Sequence, residues 1–339
     1  MSEYKIITGL SADSWESFLG GFPEGNFEQC FAYNEISKMA YPSTKSIRLA
    51  IKANGDLAGV VQGTYSRYFG FGMNLRVMRG PIIDTTYEES PCLLESLINA
   101  LEENGRKQRI IQLELLVPEK WKMRQLLSKL GYSPSGELNG YFINLKDRDE
   151  LWRGIAHNKR RNIKKAINEG VEIVQSKNYD DVLTFYSMLD ASARRRGFMP
   201  YPLSWFDAVW KLYKPGRLSK VFLAHWKGKP VSGVFVVTHG KTVYALAAGS
   251  FKEGWKSRPN DLIHWKIMEW ANQNGYSKYN MGLISEPLPT ENSCAWGIWR
   301  WKKEWNGNLE RIKIFSKFLL PRYKIVFKTK KLIESVFRN

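Results

Sequence analysis

The sequence predicts an α/β protein built from two similar domains in tandem. A β-hairpin pattern occurs at residues 49–60 (LAIKANGDLAGV) and again at residues 223–234 (LAHWKGKPVSGV), with the Leu-Ala and Gly-Val pairs in register. In both places a helix, a strand and a further helix follow in the same order. These ordered matches at a nearly constant offset indicate an internal duplication. A chain of 339 residues, 43% of them hydrophobic, is long enough for two cores.

Turn residues support both copies of this pattern. Asn54-Gly55 is a strong signal for a two-residue hairpin turn, and Lys227-Gly228 is a weaker one. We expect the helix that follows to end before Asn104-Gly105 in the first copy and before Asn274-Gly275 in the second. Glycine at these points allows the left-handed conformation that closes a helix.

The predicted domain boundary lies near residue 147. Domain 1 covers residues 1–147 and domain 2 covers residues 148–307. Residues 310–316 alternate like a strand, so we expect a strand and helix around 308–325 to complete domain 1. Residues 321–339 mix cations with Phe, Ile and Leu. This mixture is typical of a helix on an anionic membrane or of a helix packed on the domain.

One amphipathic helix is predicted between the two copies, from Leu151 to Glu169. Its apolar side carries Leu151, Trp152, Ile155, Ile163, Ala166 and Ile167. Its other side carries Arg153, Lys159, Arg160, Arg161, Lys164 and Lys165. Such closely spaced cations repel one another unless an anion is nearby, although part of this charge is typical of any solvated helix face.

The charge balance favours anionic partners. Lys and Arg number 51 against 33 Asp and Glu, which gives a formal net charge of +18. A positive field of this size concentrates anions around the protein. We therefore expect phosphorylated partners.

Cysteine and histidine usage predicts neither a disulfide framework nor a metal site. Cys30, Cys92 and Cys294 show no CxxC spacing, and the four histidines are isolated from one another. The N-terminus lacks the apolar core of a signal peptide, and no segment approaches the roughly 20 apolar residues that span a bilayer. The prediction is a cytoplasmic protein, with peripheral contact at the inner face of the membrane as an option.

Common catalytic motifs are absent from the sequence. It contains no GxSxG, GxxxxGK[ST] or GxGxxG motif, which removes the usual signatures of serine hydrolases, nucleoside triphosphatases and dinucleotide enzymes. An enzyme with this sequence would work by positioning and electrostatics.

Several segments resemble the Fem family of peptidyltransferases, and together they cover nearly the whole chain. The most specific is residues 297–307 (GIWRWKKEWNG), which resembles the family pattern G-x-x-x-F-K-x-x-F-x-G. Residues 26–29 (NFEQ) with Tyr33 and Lys38 resemble its N-F-x-Q, aromatic, Lys pattern. Residues 79–81 (RGP) resemble its RGP turn. The resemblance implies an α/β (α+β) fold of two tandem GNAT-like acyltransferase domains, each with a mixed, mainly antiparallel sheet flanked by helices.

The same resemblance implies roles for individual residues. Lys302 would be the catalytic lysine beside the reacting acyl group, with Trp301 in place of the usual Phe. Lys38 would contact the phosphates of the precursor. Residues 192–198 (SARRRGF) resemble the family segment R-x-G-F, whose arginine binds precursor phosphate. Arg195 aligns best with that arginine, and Arg196 is the neighbouring choice.

Two further positions are similar to substrate-contacting positions of the family. Tyr244 lies in a strand that resembles one bearing a substrate-contacting tyrosine, although burial in a strand explains it equally well. Asn280 stands in a YNMG segment that resembles Y-D-F-G, with Asn in place of the acid and Leu283 in place of a second glycine. These departures bear on substrate identity.

The resemblance implies aminoacyl-tRNA as the donor and no tightly bound cofactor. GNAT acetyltransferases instead hold the CoA pyrophosphate on a [QR]-x-x-G-x-[GA] loop at a helix N-terminus. Residues 194–199 and 217–220 do not complete that loop, which favours charged tRNA over acyl-CoA. Glu114 is a weak candidate for a general base.

Three functions follow from the sequence. The first is transfer of an amino acid to an amine of a nucleotide- or lipid-linked cell-wall precursor. The second is acyl-CoA-dependent N-acylation of an envelope polysaccharide or amino sugar. The third is a non-catalytic adaptor that binds RNA or membrane. The favoured oligomeric state is a monomer.

Overall fold

The computed structural model describes residues 4–23, 25–68, 72–87, 90–176, 178–213, 216–293, 295–320 and 323. The chain divides into two compact units. Unit 1 consists of residues 1–34, 42–137 and 312–339, and unit 2 of residues 35–41 and 138–311. The domain boundaries at 147 and 307 stay a prediction. The tail at 321–339 lies outside the described residues, apart from Tyr323.

The first half of the described chain forms four helices and seven strands. They are β1 (Tyr4–Ile7), α1 (Ala12–Gly20), α2 (Phe31–Ala40), β2 (Lys45–Ala53), β3 (Asp56–Tyr68), β4 (Gly72–Met78), β5 (Ile82–Ile83), α3 (Ser90–Lys107), β6 (Gln112–Pro118), α4 (Arg124–Lys129) and β7 (Ser133–Asn144). Short 3-10 helices lie at Phe27–Gln29 and Glu119–Trp121.

The second half of the described chain forms six helices and six strands. They are α5 (Arg148–Gly154), α6 (His157–Asn168), β8 (Glu172–Gln175), α7 (Asp180–Arg196), α8 (Leu203–Leu212), β9 (Ser219–Trp226), β10 (Lys229–His239), β11 (Thr242–Ser250), α9 (Pro259–Gln273), β12 (Lys278–Ser285), α10 (Trp296–Lys303) and β13 (Asn308–Phe318). A 3-10 helix lies at Lys252–Ser257.

Unit 1 is built on a sheet with the strand order β1-β2-β3-β4-β6-β13. Strands β4 and β6 are parallel, and the other neighbours are antiparallel. Helix α3 packs on this sheet because Leu93, Leu97 and Leu101 recur at four-residue spacing and are fully buried. The strand predicted at 310–316 is present as β13.

Unit 2 is built on a sheet with the strand order β7-β12-β11-β10-β9-β8. Strands β11 and β12 are parallel, and the other neighbours are antiparallel. Helix α9 buries Leu262, Ile263 and Ile267 in the core of this unit. Helix α7 approaches β11 so closely that a Cβ at Gly249 would lie 2.3 Å from the backbone nitrogen of Leu189. Only glycine fits there.

The predicted duplication is visible in the two sheets. Both contain an antiparallel hairpin, a third antiparallel strand, a helix and then a parallel strand, namely β2-β3-β4-β6 and β9-β10-β11-β12. Both hairpin turns have two residues with positive φ: 52° and 93° at Asn54-Gly55, and 52° and 74° at Lys227-Gly228. The predicted fold class, an α/β protein with mainly antiparallel sheets, is confirmed.

The prediction of one helix from Leu151 to Glu169 was wrong. The chain breaks after α5, where the backbone nitrogen of Ala156 donates to the carbonyl of Glu304 at 3.0 Å. The guanidinium of Arg160 then donates to carbonyls at the end of α5, including that of Ile155 at 2.7 Å. The helix faces also differ from the prediction, because Ile167 is 53% exposed whereas Lys159 is fully buried.

The NFEQ segment and the RGP turn have structural roles in unit 1. The buried side chain of Gln29 donates to the carbonyls of Gln62 and Met78 and accepts from the backbone nitrogen of Gln62 at 3.0 Å. Asn26 donates to the carbonyl of Arg79 at 2.9 Å. A Cβ at Gly80 would lie 2.7 Å from the Gln29 amide carbon, so glycine is required beside this glutamine. The two motifs therefore hold each other in place.

Replacing Gln29 should destabilise the protein strongly. Gln29→Leu removes three hydrogen bonds and leaves backbone groups buried without partners, so we expect a loss of roughly 2–4 kcal/mol in the free energy of unfolding. Chemical denaturation measures this loss, with the exposed Gln125→Leu as the matched control. A midpoint equal to that of the control would contradict the structural role of Gln29.

Candidate active site

A cleft of about 890 Å³ lies within unit 2. Its walls are formed by the end of α7, the loop after α7, β11, β12 and α10. Tyr41, the residue that follows α2, also lines the cleft. The lining side chains and backbone are those of Tyr41, Leu189, Ser192, Arg196, residues 198–201, residues 245–250, Asn260, His264, residues 281–283, Gly297, Ile298, Trp301 and Lys302.

The cleft exists because β11 and β12 pair over only three residues. Tyr244 opposite Asn280 is the last pair, and the strands separate beyond it. Gly282 then adopts a left-handed conformation with φ 83°, and its backbone nitrogen donates to the Asn280 side chain at 2.8 Å. The register of β12 against β7 also shifts between Asn280 and Leu283. Residues 245–250 of β11 are thereby left with a free edge that faces the cleft.

Lys302 lies on the α10 wall of the cleft and is only 8% exposed. Its Nζ donates to the carbonyl of Leu283 at 3.2 Å. Burial lowers the pKa of Lys302 from its ordinary value to about 8, because the charged form is poorly solvated there. The ammonium form therefore dominates at neutral pH and is lost as the pH rises through about 8.

A buried ion cluster positions α10. Lys159 of α6 is fully buried, and its Nζ lies 2.7 Å from Oδ1 of Asp261 and 3.3 Å from Oε2 of Glu304. The same Asp261 oxygen accepts from the indole nitrogen of Trp301 at 2.7 Å, and Asn162 donates to the other oxygen at 2.9 Å. Because Trp301 and Glu304 flank Lys302, the cluster fixes the part of the chain that carries the lysine.

His264 contacts this cluster and lines the cleft as a neutral imidazole. Its Nδ1 lies 2.6 Å from the hydroxyl of Tyr279, and its ring meets the Trp301 ring edge-on at 4.9 Å. Burial, assisted by the charges of Lys159 and Lys302, lowers the pKa of His264 to about 3. The isolated position of this histidine in the sequence did not indicate that it borders a cleft.

The two arginines predicted to bind phosphate have different surroundings. Arg195 donates to the carbonyl of Ser250 at 3.2 Å and lies 4.6 Å above the Trp255 ring, so it braces the end of β11. Arg196 lines the cleft. Within the described chain it has no acidic partner, and desolvation together with the charge of Arg195 lowers its pKa. The structure thus places Arg196 where an anion in the cleft would meet it.

The other predicted residues do not line the cleft. Lys38, in the last turn of α2, forms an exposed ion pair with Glu35 at 3.2 Å. Tyr244 and Asn280 are buried at the last paired position of β11 and β12, immediately before the cleft opens. Glu114 accepts two hydrogen bonds from Arg76 in unit 1, at 2.7 and 2.9 Å. Their predicted roles toward substrate stay predictions.

A second, basic groove runs along α6 in unit 2. It measures about 520 Å³ and is lined by His157, Arg160, Arg161, Lys164, Lys165, Asn168 and Glu169. Lys164 and Lys165 are exposed, and neither forms an ion pair within the described ranges. Arg161, Lys164 and Lys165 thus face solvent, as predicted, whereas Lys159 is buried and Arg160 is half-buried against the end of α5.

The described part of the chain lacks two kinds of feature. It contains no group of three His, Cys, Asp or Glu side chains that could hold a metal ion. It also contains no helix that is both long enough and apolar enough to cross a membrane.

Breaking the buried ion pair should cost stability. Asp261→Asn keeps the shape of the side chain but leaves the Lys159 ammonium under-compensated, so we expect a loss of about 3–5 kcal/mol in the free energy of unfolding. Glu150→Gln, which breaks the exposed pair with Lys146, is the control and should change little. Equal unfolding midpoints for the two variants would show that the cluster does not hold unit 2 together.

Known proteins are similar to this chain over nearly its whole length. The profile of the acetyltransferase (GNAT) domain family matches residues 155–303, which include α6, the cleft walls from α7 onward and α10. A lipid II:glycine glycyltransferase of Staphylococcus epidermidis is 20% identical over 93% of this chain and 93% of its own length. A second lipid II:glycine glycyltransferase, from Staphylococcus aureus, is also 20% identical over 93% of both chains.

Solved structures confirm the tandem acyltransferase fold. FemX superposes with a TM-score of 0.82 at 17% identity, covering 96% of this chain and 99% of FemX. A tandem GNAT protein from the clavulanic acid biosynthesis pathway superposes with a TM-score of 0.58 at 11% identity, covering 94% of this chain and 99% of its own. The prediction of an acyltransferase is confirmed, and the similarity to FemX and to the lipid II:glycine glycyltransferases extends over nearly the whole chain.

Proposed function

We propose that the protein is an aminoacyltransferase that moves an amino acid from aminoacyl-tRNA onto an amine of a phosphate-bearing cell-wall precursor. The observation that carries the proposal is the buried ammonium of Lys302 in the cleft wall. The guanidinium of Arg196, which has no acidic partner among the described residues, lines the same cleft. The relatives are lipid II:glycine glycyltransferases, which supports this class of acceptor.

The proposed reaction exchanges an ester for an amide. The amine nitrogen of the acceptor attacks the ester carbonyl carbon, a C–N bond forms, and the carbonyl oxygen becomes an oxyanion. Collapse of this intermediate breaks the C–O bond to the terminal ribose. The proton lost by the amine ends on the ribose oxygen. The enzyme must therefore hold both substrates in line and stabilise one negative oxygen.

Lys302 is suited to stabilising the negative oxygen of the intermediate. About nine-tenths of a lysine with a pKa near 8 is charged at pH 7. A positive charge in a water-poor site stabilises an oxyanion more than it would in solvent. The free edge of β11 adds backbone groups along the opposite wall.

The cleft offers no evident general base. None of the described residues that line it is acidic, and His264, with a pKa of about 3, is too weak a base at neutral pH. We therefore assign the proton transfer to groups of the two substrates, from the attacking amine to the leaving ribose oxygen.

Helix α9 supports charged tRNA over acyl-CoA as the donor. A helix N-terminus binds a pyrophosphate through free backbone N–H groups. Helix α9 follows β11 but begins with Pro259, which has no N–H, and carries the buried carboxylate of Asp261 in its first turn. The segment 194–199 lies at the C-terminal end of α7, where the helix dipole is negative. The basic groove along α6 suits the backbone of an RNA.

Acyl-CoA remains the second candidate donor because the GNAT domain profile describes an acetyltransferase. One assay separates the donors. The protein is incubated with charged tRNA or with acetyl-CoA, together with a lipid-linked amine acceptor, and the product mass is measured. Product from charged tRNA supports the proposal, whereas product from acetyl-CoA alone would replace it with N-acylation.

Removing the Lys302 amine should reduce turnover strongly without unfolding the protein. In the same assay we expect Lys302→Ala to lower kcat by about 10²–10³-fold, because the oxyanion loses its positive neighbour. The adjacent and exposed Lys303→Ala is the matched control and should keep the wild-type rate. Wild-type turnover by Lys302→Ala would refute the mechanism.

The pH dependence should distinguish an ammonium from a base at position 302. The pKa of Lys302 is lowered, so its charge is present below pH ~8 and absent above it, and kcat should fall as the pH rises through this value. Lys302→Arg keeps its charge, so any activity it retains should not fall between pH ~7 and ~9. Rates are corrected for spontaneous ester hydrolysis. A rate that rises through pH ~8 in the wild type but not in Lys302→Arg would show Lys302 acting as a base, because deprotonation of the acceptor amine affects both proteins alike.

A further inference from the structure

Exposed apolar side chains surround one end of the cleft. Tyr41, Phe198, Met199 and Tyr201 all line the cleft, yet each is more than one-third exposed and Met199 is 94% exposed. Met39, at the end of α2, is 43% exposed and does not line the cleft. We call these five residues the apolar rim.

The rim is one continuous part of unit 2. The hydroxyl of Ser204, at the start of α8, donates to the carbonyl of Ala40 at 3.1 Å, which ties the end of α2 to the loop after α7. The Tyr201 ring stacks on Trp205 with centroids 4.7 Å apart. Burial and the nearby phenol of Tyr201 both raise the pKa of Tyr41, in agreement with this proximity.

Cations accompany the rim. Lys38 precedes Met39, and residues 194–196 (RRR) precede Phe198. Glu35 pairs with Lys38 and Asp190 pairs with Arg194, whereas Arg195 and Arg196 have no acidic partner in the described chain. The rim therefore carries an excess of positive charge.

This composition matches the interface of an anionic bilayer. Apolar side chains next to cations bind such surfaces through burial of the apolar part and attraction to lipid phosphates. Tyrosine is enriched at the interface between membrane and water because its ring is apolar and its hydroxyl is polar. A soluble substrate alone would not require a methionine that is 94% exposed.

We propose that the apolar rim docks on an anionic membrane surface, so that the cleft opens toward an acceptor anchored in the lipid. This inference rests on the proposed function and selects the lipid-linked form of the precursor. Arg196 lines the same cleft as Lys302 and four of the rim residues, so its guanidinium would meet the phosphates of an anchored acceptor that enters the cleft.

Vesicle binding tests the surface directly. Full-length wild type is mixed with phosphatidylcholine vesicles that contain or lack phosphatidylglycerol, and bound protein is measured by co-sedimentation. We expect binding to the anionic vesicles, a loss of affinity of at least about tenfold in Met39→Glu, and a further loss in Met39→Glu/Met199→Glu. Val174→Glu makes the same charge change at an exposed site on β8 and should bind as wild type does. The segment 321–339 is present in every variant.

Three outcomes would overturn the inference. They are absence of wild-type binding, equal binding of Met39→Glu and wild type, and equal binding to both vesicle types. A fourth is self-association: if sedimentation velocity shows a dimer that Met39→Glu dissolves, and vesicles are not bound, the rim belongs to a protein interface.

Turnover separates this inference from the proposed function. Met39→Glu should transfer at the wild-type rate to a soluble acceptor without a lipid chain, and about tenfold more slowly to the lipid-linked acceptor in vesicles. If Met39→Glu turns over both acceptors at the wild-type rate, membrane docking by the apolar rim is refuted. The proposed aminoacyltransferase function is then unaffected. Absence of transfer by wild type to either acceptor would overturn the function, while the vesicle assay would still decide the surface.

Discussion

The separation of β11 and β12 after Tyr244 and Asn280 is the constraint on which the cleft depends. A sheet normally satisfies the backbone groups of every inner strand, so a strand that loses its neighbour must present them to something else. Here they face the cleft. The left-handed Gly282, held by the Asn280 side chain, turns β12 away. The cleft is therefore formed by the gap between two neighbouring strands of the sheet.

The opposite wall depends on buried charge. An isolated ammonium is unfavourable in a protein interior, yet Lys159 is fully buried because two carboxylates and the faces of Trp301 and Trp305 surround it. Such a cluster adds little net stability over apolar packing but tolerates only one arrangement of its members. The cluster contributes to the site by fixing the position of α10. It holds α10 so that Lys302 is buried with one carbonyl as its partner, which lowers its pKa.

Turns and motifs formed by residues close in the sequence could be predicted. Burial of a side chain by residues far away in the sequence could not. The Asn54-Gly55 and Lys227-Gly228 turns each depend on two adjacent residues, and the structure has both, whereas Gly105 lies inside α3 and does not end it as predicted. The segment around Lys302 carries a specific spacing, and the structure places this lysine in the cleft. The burial of Lys159 depends on Asp261, about a hundred residues later in the chain, so its neighbours in the sequence indicated a solvated face. Tyr41 likewise lines the cleft only through tertiary packing.

The departures from the family pattern have local structural explanations. The indole nitrogen of Trp301 donates to Asp261 at 2.7 Å, a bond that phenylalanine could not make, so this tryptophan belongs with the buried ion cluster. Asn280 accepts from the backbone nitrogen of Gly282 through its side-chain oxygen, as a carboxylate in its place also could. Leu283 offers Lys302 a backbone carbonyl that any residue would provide. None of the three changes removes the positive charges of Lys302 and Arg196 from the cleft wall. The replacement of an acid by Asn280 removes one negative charge next to the cleft, and Trp301 and Leu283 alter the shape that a substrate meets beside Lys302.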